Sequence, residues 1–103
     1  MAQKHEFIVI LPDNKGVLEQ RMKVRPDHLS NIKTEVENGF WIFGGASMDE
    51  VPKEGEGPKI NGSVMLALAE SKEEVLEKIK QDVYATNGIW DMDKVHSNSW
   101  IIV

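Results

Sequence analysis

The sequence contains one histidine and one aspartate that its predicted fold brings together. His28 lies in the first predicted helix and Asp82 ends the second. If the two helices lie antiparallel on one face of a sheet, the start of the first and the end of the second meet at one edge. A histidine beside a carboxylate is a common unit of general acid–base catalysis, because imidazole titrates near neutral pH and the carboxylate fixes its tautomer. The pair therefore predicts proton transfer.

Both residues also have an ordinary structural interpretation. His28 lies one helical turn before Ile32, so it can be a partly buried core histidine. Asp82 can be a solvated residue, although a carboxylate at a helix C-terminus opposes the helix dipole, which favours some other reason for it there. A metal site made of His28, Asp82 and His96 lacks the i, i+4 spacing of helical metal ligands. We therefore expect no metal and no cofactor, with His5 and His96 as surface residues.

Arg25 is the candidate for binding an anionic group of a substrate. Its guanidinium is a planar fork that matches a carboxylate. The alternative is an ordinary surface ion pair with Asp27 or another acid. Trp41 and Trp90 are expected to pack in the protein interior and not to stack on a ligand.

Length and composition predict a single globular domain over residues 1–103. Apolar residues make up 41% and charged residues 28% of the chain, which is ordinary for a folded protein. The net charge is −5 and the basic residues are scattered, so nucleic acid is a poor candidate partner. There is no cysteine, which excludes disulfides and thiolate chemistry. No apolar run has the length of a membrane span or the form of a signal peptide, so we expect a cytoplasmic protein with no membrane partner.

Hydrophobic periodicity and turn residues divide the chain into four strands and two helices. The first helix should be regular from about Arg25, because proline at position 26 suits a first helical turn. Ser71 and Glu74 have the form of a capping box for the second helix. The predicted elements are strand 7–11, helix 17–38, strand 40–43, loop 48–61, strand 63–69, helix 71–82, irregular connection 84–93 and strand 99–103.

This order predicts an α+β fold of the ferredoxin-like βαββαβ type, a four-stranded antiparallel sheet with two helices on one face. The strands do not alternate apolar with polar residues, so both faces of the sheet require burial. The uncovered face amounts to roughly 300 Å² in projection, and burying it contributes roughly 7 kcal/mol per subunit before association costs. We therefore expect a homodimer formed through the open sheet face. The alternative is a monomer whose loop at 48–61 covers that face.

Five short motifs, in order along nearly the whole chain, resemble the YCII-related (YciI-like) family. They are Arg25-x-x-His28-Leu29, Gly39, Gly44-Gly45, Gly62-Ser63 and Asp82-Val83-Tyr84, the last standing where the family usually shows Asp-Pro-Tyr. The resemblance implies a dimeric α+β barrel with an active site on His28 and Asp82. It also implies lyase-like or dehydrohalogenase-like chemistry on small cyclic acids, as suggested for some relatives.

Two hypotheses about function follow from the sequence. In the first, the protein is a lyase-like or isomerase-like enzyme in which His28 moves a proton on a small organic acid and Asp82 orients His28. Arg25 and Tyr84 are then the candidates for binding the substrate. In the second, the protein is a dimeric, stress-associated or metabolite-binding protein that holds its ligand without changing it. The first predicts His28 and Asp82 in hydrogen-bonding contact beside a pocket, and the second predicts them apart.

Overall fold

The computed structural model describes residues 3–99, which form one sheet with helices beside it. The elements are β1 (His5–Pro12), α1 (Leu18–Glu37), β2 (Trp41–Met48), β3 (Ile60–Ala69), α2 (Lys72–Gln81), α3 (Val83–Thr86) and β4 (His96–Ser99), with a 3-10 turn at Met92–Lys94. The predicted α+β class and βαββαβ order are confirmed, with the short helix α3 as an addition. None of the described helices is long and apolar enough to cross a membrane.

The sheet has the strand order β2-β3-β1-β4, and every neighbouring pair is antiparallel. β1 and β3 are central, with Val9 opposite Met65, and β4 pairs with the other edge of β1, where His96 lies opposite Ile10. The fourth strand begins earlier than the predicted range of 99–103. Residues 100–103 of that prediction lie outside the described part of the chain.

One face of the sheet forms the protein core with the helices. On β1, alternate residues Phe7, Val9 and Leu11 are buried, as expected when side chains of one parity face the helices. Val75 and Ile79 of α2 are fully buried in the same cluster. These two residues lie four positions apart on one face of α2, which is therefore the surface that packs in the core.

The opposite face of the sheet is apolar and partly open to solvent, although Leu66 of β3 is buried on it. Ile10 on β1 is 42% exposed and Phe43 on β2 is 58% exposed. The loop at 49–59 leaves both side chains accessible, so it does not provide the cover that the monomer alternative requires.

Helix α1 begins at Leu18, and the prediction of a regular helix only from Arg25 was wrong. Pro26 lies inside the helix, where its ring nitrogen cannot donate the usual backbone hydrogen bond. The turns before Pro26 form because Arg21 is buried and binds Asp13, which follows β1. A tertiary contact therefore extends the helix toward the N-terminus, beyond the start at Arg25 that local sequence preference predicts.

The C-terminus of α1 ends as the sequence predicts. Gly39 has a φ of +81°, the left-handed conformation that glycine adopts without a steric penalty. Its N–H donates to Val36 O, and the Phe40 N–H donates to Glu35 O. These two bonds form a Schellman motif, which closes the helix and turns the chain into β2.

Strand β2 is longer than the predicted range of 40–43. Gly44 and Gly45, which look like a strand end, continue the ladder opposite Met65 and Val64. A Cβ on Gly44 would lie 3.0 Å from Met65 Cγ, so the methionine side chain occupies the space beside the glycine. The irregular connection to β3 is consequently shorter than predicted.

Helix α2 starts at the predicted cap and is followed directly by another helix. Ser71 Oγ accepts a hydrogen bond of 3.2 Å from the Glu74 N–H, which confirms the cap. α2 ends at Gln81, Asp82 adopts an extended conformation, and α3 begins at Val83. The first part of the connection predicted to be irregular at 84–93 is therefore helical.

Candidate functional site

His28 and Asp82 are in direct contact and both are buried. His28 Nδ1 lies 2.8 Å from Asp82 Oδ1. Because an ionised carboxylate can only accept, Nδ1 carries the proton of this bond, and in the neutral ring Nε2 is the basic nitrogen. His28 lies in the middle of α1 and not at its start, so the expected meeting point was wrong although the two residues meet.

Asp82 is fixed in place by its second partner. The same Oδ1 accepts the backbone N–H of Tyr84 at 2.9 Å, so Asp82 is the N-cap of α3. A carboxylate stabilises a helix at its N-terminus. The dipole of α2 disfavours an acidic residue at its C-terminus. The cap of α3 explains why Asp82 stands there.

Tyr84 lies against the imidazole ring. The ring centroids of His28 and Tyr84 are 3.9 Å apart with an interplanar angle of 9°, and Trp90 meets the His28 ring edge-on at 6.0 Å. Burial raises the pKa of Tyr84 above its ordinary value of 10.0, while the positive charges of Arg21 and Arg25 oppose that rise. The phenol is therefore neutral at physiological pH and can donate a hydrogen bond.

A cavity of about 710 Å³ lies beside this pair, between α1, β2 and β3. Its walls are mostly apolar, and its polar lining includes His28, Arg25, Tyr84 and Ser63. The apolar wall includes Leu29, Ile32, Val36, Trp41 and Met65. Small organic ligands commonly bind in cavities of this size with a few polar groups in an apolar lining.

Arg25 is exposed and borders the same cavity. Among residues 3–99, no carboxylate lies within ion-pair distance of its guanidinium, so the alternative pairing with Asp27 does not occur there. Its charge is therefore available to an anionic ligand.

Arg21 is a site residue that the sequence analysis missed. Its Nη1 donates to Asp13 Oδ1 and Oδ2 at 2.7 and 2.8 Å, and its Nη2 donates to Ser63 Oγ at 2.8 Å. Its Cζ lies 4.7 Å from the centre of the Tyr84 ring. The signal was present in the sequence, because positions 21, 25 and 28 follow the i, i+4, i+7 spacing of one helix face.

Of the remaining candidates, His96 lies apart from the site, while the two tryptophans pack beside it. Within the described part of the chain, no group of three His, Cys, Asp or Glu side chains is placed to hold a metal ion. His96 lies opposite Ile10 in the β1–β4 pair and shares its sheet face, away from the helices. Trp90 is fully buried and Trp41 packs against Phe40, although Trp41 also lines the cavity.

Known proteins resemble this chain in both sequence and fold. Derivative of benzaldehyde biosynthesis cluster protein C from Emericella nidulans is 44% identical over 89 residues, covering 85% of this chain and 91% of that protein. Fusaric acid biosynthesis protein 2 from Gibberella fujikuroi is 34% identical over 90 residues, covering 87% and 86%.

A solved structure has the same fold at low sequence identity. It is 5-chloro-2-hydroxyhydroquinone dehydrochlorinase from Burkholderia phenoliruptrix AC1100 in complex with 2,5-dihydroxybenzoquinone. Its TM-score is 0.80 at 19% identity, and the match covers 95% of each chain. Residues 6–97 match the YCII-related domain, which is nearly the whole described structure. The chain therefore belongs to the YCII-related domain family.

Proposed function

We propose that the protein is a small-molecule enzyme, lyase-like or isomerase-like, in which His28 and Asp82 act as a general acid–base pair on a small organic acid. The observation that carries this proposal is the 2.8 Å contact from Nδ1 to Asp82 at a cavity that His28 itself lines. With Nδ1 engaged, Nε2 is the nitrogen left to exchange a proton with a ligand.

The proposed reaction begins with a carbon-bound hydrogen beside a carbonyl group. Nε2 of His28 takes the proton, and the electrons of the C–H bond move onto the carbonyl oxygen as an enolate. If the proton returns to another carbon, the reaction is an isomerisation. If a leaving group departs from the neighbouring carbon instead, the reaction is an elimination, as in a lyase. Asp82 orients the imidazole and stabilises the imidazolium that forms during the transfer.

The cavity supports a ring-shaped acid as substrate. Its apolar wall suits a cyclic carbon skeleton, while Arg25 supplies a positive charge for an anionic group. Tyr84 supplies a neutral phenol beside His28. Two relatives carry names of biosynthetic clusters, and the fold neighbour is a dehydrochlorinase with a bound quinone. These names are consistent with chemistry on small cyclic compounds.

The proposal is tested by deuterium exchange, which detects proton transfer at carbon whether or not a product accumulates. A panel of small cyclic carboxylic acids, phenols and hydroxyquinones is incubated with the protein in D₂O and followed by ¹H NMR. We expect loss of a carbon-bound hydrogen signal from at least one compound, and none without protein. Saturable binding with no exchange and no product across the panel would instead identify a binding protein that performs no catalysis.

We also propose that the chain forms a homodimer through the open face of its sheet. Ile10 lies on the central strand β1 and Phe43 lies on the edge strand β2, and both are exposed in the single chain. A second copy is a suitable cover because it presents the same apolar surface, and paired copies bury both at once.

Replacing Ile10 with glutamate is expected to raise the dimer dissociation constant at least about 100-fold, because it places a carboxylate from each copy in the apolar interface. Val51→Glu is the matched control, since Val51 is 84% exposed on the loop. Sedimentation velocity at micromolar concentration should give dimers for the wild type and Val51→Glu and monomers for Ile10→Glu. A monomeric wild type would contradict the dimer.

A further inference from the structure

Ser63 lies on the helix-facing side of β3, at the wall of the cavity that holds His28. It is 5% exposed and pairs with Leu11 of β1 and Ala46 of β2. Ser63 belongs to the Gly62-Ser63 motif of the family, and its hydrogen bonds give it a further role.

The Ser63 hydroxyl oxygen accepts two hydrogen bonds. Arg21 Nη2 donates to it at 2.8 Å and Trp90 Nε1 donates to it at 3.2 Å. A guanidinium and an indole N–H can only donate, so neither partner can receive the hydroxyl hydrogen. Both lone pairs of the oxygen are thereby used, while the hydrogen remains available.

That hydrogen has no acceptor in the described protein. Between residues 3 and 99, the two bonds from Arg21 and Trp90 are the hydrogen bonds that Ser63 Oγ makes. A buried hydroxyl normally satisfies its donor as well as its acceptors. Since Ser63 lines the cavity, an acceptor atom of a ligand in that cavity can complete its set.

We propose that Ser63 donates a hydrogen bond to an anionic oxygen of the ligand, an enolate or phenolate oxygen, in the cavity beside His28. This role rests on the proposed function and identifies the group that binds the oxygen on which negative charge develops. Arg25 is then the group for a separate carboxylate, so the site recognises two oxygen functions on one ring.

The hydrogen bonds that Ser63 accepts from Arg21 and Trp90 strengthen the bond that its own hydroxyl can donate. A hydroxyl that accepts from a cation is polarised, and hydrogen bonds in such a chain strengthen one another. Arg21 is held in position by Asp13, which binds its Nη1. The donor is therefore oriented before the ligand arrives, which is the condition for stabilising charge that develops in a transition state.

The test measures binding of 4-nitrophenolate, whose absorbance reports its ionisation, and does not depend on turnover. Ser63→Ala is expected to weaken binding by about 10- to 100-fold, the range for one hydrogen bond to a charged group. Binding of neutral nitrobenzene should be unchanged. Trp90→Phe is the matched control, because it removes the same 3.2 Å bond but leaves the Ser63 hydroxyl in place.

Three results would overturn the proposal. They are no saturable binding of 4-nitrophenolate to the wild type, unchanged affinity in Ser63→Ala, and equal losses in Ser63→Ala and Trp90→Phe. If Ser63→Ala does not fold, as judged by circular dichroism, Ser63→Cys decides, because a thiol of similar shape is a weak donor and should weaken binding several-fold. Unchanged affinity in Ser63→Cys would overturn it equally. Failure of the acid–base function would appear separately, in the deuterium exchange assay.

Discussion

A His28→Gln variant is expected to lose deuterium exchange of its substrate by about 10²- to 10⁴-fold, the usual contribution of a positioned general acid or base. Glutamine is an uncharged polar side chain of comparable length, but it has no group that titrates near neutral pH. The loss therefore measures proton transfer and not the absence of a side chain. Rates are measured by ¹H NMR at saturating substrate.

Asp82→Asn separates the charge of Asp82 from its geometry. In the structure a single oxygen, Oδ1, accepts from both His28 Nδ1 and the Tyr84 N–H. An asparagine amide oxygen can accept both bonds, so the substitution removes the negative charge and keeps the orientation. We expect a smaller loss than in His28→Gln, about 10- to 100-fold, because the imidazolium formed in the reaction loses a charge-assisted partner.

His96→Gln is the control for general effects of removing an imidazole. His96 is exposed on β4 and belongs to the other sheet face, so its replacement should leave the rate unchanged. Normal turnover by a folded His28→Gln variant would end the acid–base role. A rate in Asp82→Asn below that of His28→Gln would show that Asp82 acts on the substrate by some route other than His28.

The parts of the fold that the sequence predicted correctly depend on local chemistry. Gly39 ends α1 because a left-handed residue closes the helix, and Ser71 starts α2 because its hydroxyl binds a free N–H. The parts that it missed depend on distant partners. Gly44 continues β2 because it pairs with Met65 on β3, whose side chain fills the space beside the glycine, and nothing adjacent in sequence indicates this.

The candidate site was also predictable only in part. The element order alone brought His28 near Asp82, but it placed His28 at the start of α1 and not in its middle, because Pro26 resembles a helix start. Arg21 was missed because a charged residue on a polar helix normally faces solvent. Its burial requires Asp13, which lies beyond the end of β1 and is recognisable as a partner only once the fold is known.

The buried pair of Arg21 and Asp13 gives the largest expected effect on stability. Their side chains are only 5% and 4% exposed. Arg21→Met keeps the aliphatic length of the side chain but leaves the Asp13 carboxylate buried without its cation. We expect the free energy of unfolding to fall by about 3 kcal/mol at pH 8, the lower end of the range for breaking a buried ion pair.

The size of that loss should depend on pH in a defined direction. Burial raises the pKa of Asp13 above its ordinary value of 3.8, while the charge and hydrogen bonds of Arg21 oppose the rise. Removing Arg21 therefore raises the pKa of Asp13 further. A carboxyl group that holds its proton to higher pH in the folded state than in the unfolded chain contributes less stability as pH rises through its folded pKa. The deficit of Arg21→Met should be largest at about pH 8 and shrink toward about pH 4.

Urea unfolding at both pH values measures the effect, with Lys59→Met as the matched control. Lys59 pairs with Glu50 at 2.7 Å, but their side chains are 53% and 52% exposed, so solvent screening should limit the loss to about 0.5 kcal/mol. Adding Asp13→Asn to Arg21→Met removes the buried charge and should recover part of the stability at pH 8. A deficit that is the same at both pH values would contradict the charge argument and assign the effect to the contacts of Arg21 with Tyr84 and Ser63.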